Sequence, residues 1–240
     1  MSDLKAHELA VAILGQGLVL ATLAGLVRRH HVKICWAFGL YLLMVFLADG
    51  LMMADALVLR TGTFYSRSFW MTKEVLLNAL KFAVALEIVA RVFGGFPGAR
   101  ATAQMALVLL LGLTFVSVVS ASGWLPLAPE SLGSELQPRI LMGTTWLFTV
   151  IAGLVLWYRL PMASMQKAIL IGFVPFLILF YLVLELRTAN RWPMHGWLAS
   201  VDSWAFVLVL AYWTRSAWQP FREIIPAGGR PVPAVQGSEG

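Results

Sequence analysis

The sequence predicts an all-α fold: a polytopic membrane bundle of seven transmembrane helices, with the N-terminus outside and the C-terminus cytoplasmic. Three observations carry this expectation. Of the 240 residues, 60% are hydrophobic and 12% charged, too little charge to cover a soluble domain. Apolar runs recur along the whole chain, each about 20 residues and so long enough to cross ~30 Å of hydrocarbon. They are continuously apolar, where the strands of a membrane β-barrel would alternate. The third observation is the placement of Lys, Arg and Trp at the ends of the runs, the pattern of a membrane interface.

The first run covers about 7–27, and its basic cluster Arg28, Arg29 and Lys33 follows it. A cleaved signal peptide has the reverse charge order, so a retained helix is expected. Further runs cover about 34–59, 74–93, 104–124, 140–157, 168–186 and 196–213. Gly95, Pro97, Pro161 and Pro193 mark turns, and a loop with Pro126, Pro129, Gly133 and Pro138 separates the fourth run from the fifth. Residues 1–218 form a single domain on this reading. The Pro- and Gly-rich tail 219–240 has nothing to bury and is expected to be disordered.

Orientation follows from counting Lys and Arg. The side holding Arg28, Arg29, Lys33, Arg159, Lys167 and Arg215 is the richer one, which makes it cytoplasmic. Trp36, Trp157, Trp213 and Trp218 are expected at the inner interface, and Trp70, Trp124, Trp192 and Trp197 at the outer one. The net charge of +6 is read as anchoring to the membrane surface. The partners expected are the lipid bilayer and a protein partner in the membrane or at its cytoplasmic face, with no nucleic acid. The localisation expected is the cell inner (plasma) membrane.

The third run is the unusual one. It carries Glu74, Asn78 and Lys81 on one helical face and Glu87 and Arg91 as an i,i+4 pair. Ionisable groups at membrane depth face a bundle interior and a partner. At about 1.5 Å rise per residue, Asp49 and Lys81 reach the same depth on antiparallel helices, and Asp55 comes level with Lys73 and Glu74. Two readings stand. In one, Asp49, Lys81, Glu87 and Arg91 form internal ion pairs that fix the register of the hairpin. In the other, Asp49, Asp55, Lys81, Glu185 and Asp202 line a polar cavity in the outer half, together with Thr114, Ser117, Ser120, Thr144, Thr145, Tyr181, Ser200 and Ser203. Pro175, with Gly172 nearby, is expected to kink the sixth helix.

Several chemistries find no residues to carry them. The one cysteine, Cys35, excludes a disulfide framework and cysteine-based metal sites. No histidine lies within a span to ligate haem, and His30 and His31 read as a solvated loop. The seventh run has no lysine for a retinal Schiff base. His7, Glu8 and His195 are the only grouping with a metal-binding flavour, and no metal or cofactor is expected. There is no Walker loop, nucleophile elbow or HExxH, so catalysis is not expected.

The stretch FWMTKEVLLNALKFAVALEIVARVFGGFPGAR resembles a recurring pattern in an uncharacterised family of bacterial seven-helix integral membrane proteins, at Phe69, Trp70, Thr72, Glu74, Glu87, Arg91, Phe93 and Pro97. The resemblance implies the fold and brings no activity with it. The function expected first is a non-catalytic, receptor-like sensory or ligand-binding module that signals through a separate partner. The alternatives are a structural subunit of a larger membrane complex and a small proton- or ion-coupled carrier using Asp49, Lys81 and Glu87.

Overall fold

A computed structural model describes residues 6–59, 64, 66–92, 101, 105, 109, 137–160, 162–189 and 195–220. Within them the chain is all-α. Six long helices are formed: α1 Ala6–Arg28, α2 Trp36–Ala54, α3 Arg67–Val92, α4 Gln137–Trp157, α5 Ser164–Ala189 and α6 His195–Ala217. Among the described residues, four segments are long and apolar enough to cross a membrane: Leu9–Arg28, Trp36–Val58, Arg139–Trp157 and Ser164–Val183. This corrects the expectation of seven transmembrane helices. α3 is interrupted by Lys73, Glu74, Lys81, Glu87 and Arg91, and the apolar part of α6 is shortened by Asp202 at one end and Arg215 at the other. Apart from 105 and 109, the expected run 104–124 lies outside the described residues, as does most of the expected tail.

The protein is a helical membrane protein. In the four apolar spans, only 22% to 44% of the window is buried within the fold. The remaining surface carries side chains such as Leu47, Trp157 and Leu182. So much contiguous apolar surface is unfavourable in water and suits lipid.

The helices form a closed ring in chain order. Each packs on its neighbour, and α6 returns to pack on α1. That closing seam is built from small and hydroxylated residues, which let backbones approach. The hydroxyls of Thr22 and Thr214 are 2.8 Å apart, and Thr214 Oγ1 also donates to the Leu18 carbonyl at 3.2 Å. Trp218 Nε1 donates to the Ala21 carbonyl at 3.0 Å, over Gly25, where a Cβ would meet the indole at 3.0 Å.

The ends of the helices are held by local chemistry. Ser66 Oγ accepts the Phe69 N–H at 3.3 Å and starts α3. This start lies seven residues before the expected one, because the polar entry RSFWMTK is itself helical. At the other end of the connection, α2 continues as a π-helical turn, Asp55–Leu59. α4 stops in a 6→1 closure: Leu160 N–H donates to the Val155 carbonyl at 3.1 Å, with Arg159 left-handed at φ 48°. Gln166 Oε1 reaches back to the Ala163 N–H at 3.4 Å and starts α5, which runs unbroken through Pro175. His31 departs from expectation. It is buried, and its Nε2–H donates to the Gln219 carbonyl at 3.3 Å, tying the α1–α2 turn to the end of α6.

One half of the ring is filled. Phe38, Phe148, Phe173 and Trp213 are fully buried and in mutual edge and tilted contact, with Phe38–Trp213 centroids 4.9 Å apart and Phe173–Trp213 4.8 Å. Trp213 is therefore a core residue and not an interfacial one. Its Nε1–H donates to the Ala168 carbonyl at 3.0 Å, so the indole is both packed and paired. The other half of the ring is open, and the polar groups collect there.

Candidate functional site

Above the aromatic plug lies a cavity of about 560 Å³ bounded by α1, α2, α3, α5 and α6. Tyr41, buried and 5.3 Å from the Phe173 ring, forms part of its floor. One wall is apolar, made by Phe176 and Phe180 of α5, stacked with ring centroids 6.1 Å apart, and Phe206 of α6, tilted against Phe176 at 5.3 Å. The opposite wall is charged. It holds Asp49 of α2 and Lys73, Glu74 and Lys81 of α3, and Asp202 of α6 faces the same space. A concave, mostly apolar space with a few convergent polar groups is the usual form of a small-molecule site.

Two ion pairs are closed among the described residues: Lys73 with Asp49 at 2.5 Å, and Arg91 with Glu87 at 3.1 Å. The second is the pair expected from i,i+4 spacing. The first corrects the expected Asp49–Lys81 pair. One antiparallel register explains both contacts. From Trp36 to Asp49 is 13 residues along α2, and from Glu87 back to Lys73 is 14 along α3. Lys81 therefore lies about two turns deeper than Asp49, near Tyr41. The depth estimate from apolar centres failed because α3 begins at Arg67, in a polar stretch that hydropathy places outside the membrane.

Lys81 is 5% exposed and donates to Asn78 Oδ1 at 3.1 Å, itself a buried group. The carboxylates whose charge reaches it are Glu74 and Asp202, neither within ion-pair distance. Gln16 of α1 also lines the cavity, and among the described residues its buried Oε1 has no hydrogen-bond partner.

The remaining expected site residues fall elsewhere. Asp55 is buried at the end of α2, where it accepts the Phe64 N–H at 3.1 Å and braces the connection to α3. Glu185 is exposed and outside the cavity lining. Thr144 and Thr145 bond back to the carbonyls four residues earlier in their own helix. Thr114, Ser117 and Ser120, and the side chains of His7, Glu8 and His195, lie outside the described residues. Sequence reasoning missed Gln16, Tyr41 and Lys73 as cavity residues. Lys73 carried a usable signal, since Lys73, Leu77 and Lys81 recur every four residues on one face.

Glu87 and Arg91 lie at the opposite, plugged end and do a different job. Glu87 Oε1 accepts the Trp36 N–H at 3.2 Å and Oε2 the Ala37 N–H at 2.9 Å. The carboxylate of α3 thus caps the N-terminus of α2, where Cys35 makes no side-chain cap. Cys35 is buried beside it. Burial first, and the Glu87 charge second, push the thiol from its ordinary 9.0 up to about 12. The thiolate is the reactive form, so in the folded protein Cys35 is expected to resist iodoacetamide at pH 8 and to label fully after denaturation. Because the thiol is raised on folding, its contribution to stability holds below pH 9.0 and fades as pH climbs toward 12. Rapid labelling of the folded protein would show that the α2 entrance is open.

The fold and cavity together define the class: an all-α integral membrane protein with a mixed-charge cavity between its helices. No particular protein can be set beside it, because no protein-family model, curated protein or solved structure matches the chain.

Proposed function

We propose that this protein is a receptor-like, ligand-binding module of the plasma (inner) membrane, taking a small amphipathic molecule into the cavity and passing the signal to a separate membrane partner. The observation that carries the reading is the cavity itself, in which a buried ammonium and an amide oxygen with no hydrogen-bond partner among the described residues face an aromatic wall. α6 supports a signalling role. It contributes Asp202 and Phe206 to the cavity and Trp213 to the plug, and it ends at the His31 bond. A ligand that favours one seating of α6 shifts the whole population toward it.

A blocked-cavity variant tests the reading. Gly15 lines the cavity, and a Cβ added there meets nothing within 4 Å. Gly15→Phe is expected to fold normally while placing a ring in the ligand's space. In lipid nanodiscs, a metabolite library screened by thermal shift is expected to contain compounds that stabilise the wild type and leave Gly15→Phe unmoved. Equal shifts in both proteins, or no shift in either, would reject the cavity as a binding site.

A further inference from the structure

The cavity's charges specify more than an amphipathic occupant. Asp49 and Lys73 satisfy each other, which leaves Lys81 as the ammonium still able to take a ligand group. Lys81 bonds a neutral amide and is buried. A cation so placed gains most from an anionic partner, because the surrounding dielectric is low and its present partner carries no charge. The same space presents the opposite demand. Glu74 has no hydrogen bond among the described residues, the Gln16 Oε1 acceptor is buried without a donor, and the Asp202 carboxylate adds a second negative charge.

A purely anionic ligand would satisfy Lys81 and meet Glu74 and Asp202 as like charges. A purely cationic ligand would satisfy the acceptors, compete with Lys81 for the Glu74 and Asp202 charges, and leave its ammonium with no anion in contact. A zwitterion meets both demands. The aromatic wall of Phe176, Phe180 and Phe206 requires an apolar body on the same molecule.

Resting on the ligand-binding reading above, we infer that the cavity binds a small zwitterion, one anionic group on Lys81 and one ammonium toward Glu74 and Gln16, carrying an apolar side chain. An apolar α-amino acid has this chemistry. The fit explains why a lysine is buried there without an ion pair among the described residues: Glu74 and Asp202 stay beyond ion-pair distance, and the anion in contact is the ligand's.

The experiment compares matched compounds on the full-length protein in nanodiscs. Phenylalanine and leucine are titrated beside their decarboxylated amines and their deaminated acids, and binding is read by thermal shift and by calorimetry. The zwitterions are expected to bind at least about tenfold tighter than either half. Lys81→Met is expected to erase the preference for the zwitterion over the amine, and Lys81→Arg to retain it. Wild-type protein that binds the amines or the acids as tightly as the zwitterions overturns the inference without any variant. Silence of the zwitterions up to millimolar concentration, while other compounds shift the wild type and not Gly15→Phe, overturns the zwitterion class and leaves the cavity reading intact. Silence of every compound rejects both.

Discussion

Gly172→Ala is expected to be strongly destabilising for a change of a single methyl group. A Cβ built on Gly172 falls 2.7 Å from Cε2 of Trp213 and closer still to Nε1. The indole cannot retreat. It is fully buried, it is wedged between Phe38 and Phe173, and its Nε1–H is committed to the Ala168 carbonyl one turn before Gly172. Overpacking a filled core costs about 1–3 kcal/mol. Loss of the indole hydrogen bond adds about 1 kcal/mol. The expected destabilisation is therefore about 2–4 kcal/mol, read as a lower unfolding midpoint in mild detergent. The mechanism makes a second demand. Gly172→Ala combined with Trp213→Phe is expected to lose clearly less than the sum of the two single changes, because the phenyl ring vacates the space the methyl needs. Strict additivity, or an alanine variant indistinguishable from wild type, would show that the α5–α6 interface has slack that the distances deny.

Glu87→Ala is the second large effect. Its carboxylate serves two backbone donors at the head of α2 and the guanidinium of Arg91. Alanine leaves the buried Ala37 N–H without a partner at a helix end that its own residues do not cap. Loss of a cap costs about 0.5–2 kcal/mol, and hydrogen bonds to a charged group about 1.5–3 kcal/mol, so a loss of about 2–3 kcal/mol is expected. Glu87→Gln keeps one acceptor and is expected to recover roughly half of that loss. Arg91→Ala is expected to cost under about 1 kcal/mol, since its side chain is 40% exposed and water can take the place of the salt bridge. If Arg91→Ala proves as costly as Glu87→Ala, the residue's role is the ion pair and not the cap.

These two effects differ in how visible they were before folding. Gly172 and Pro175 together suggested a kink in a helix. What Gly172 provides is room for an indole arriving from α6, about 40 residues later in the chain. No local pattern in α5 records that need. Glu87 and Arg91 were legible as a pair because helical spacing alone brings i and i+4 together. The capping role was not legible, since it depends on the register of α2 against α3. The same register moved the partner of Asp49 from Lys81 to Lys73. Hydropathy located the centre of α3 eight residues too deep for that contact, because it treats a polar helical entry as loop.

The cavity divides along the same line. That α3 must face inward was evident from its charges, because lipid offers them no partner. Asp49, Lys81 and Asp202 do reach one space, while Asp55 and Glu185 do not. Both of these belong to helix ends, where a carboxylate finds nearby donors or exposure without reaching the cavity.

The sequence by itself determined that this chain lives in a membrane as helices and that one helix carries charges it must hide. Those properties follow from composition and from the fixed geometry of a single helix, which every residue senses locally. The tertiary structure alone decided which lysine neutralises Asp49 and which lysine faces the half-aromatic cavity. Pairing between helices is settled by the register in which ridges and caps interlock, and that is a property of two surfaces, which neither strand of sequence contains.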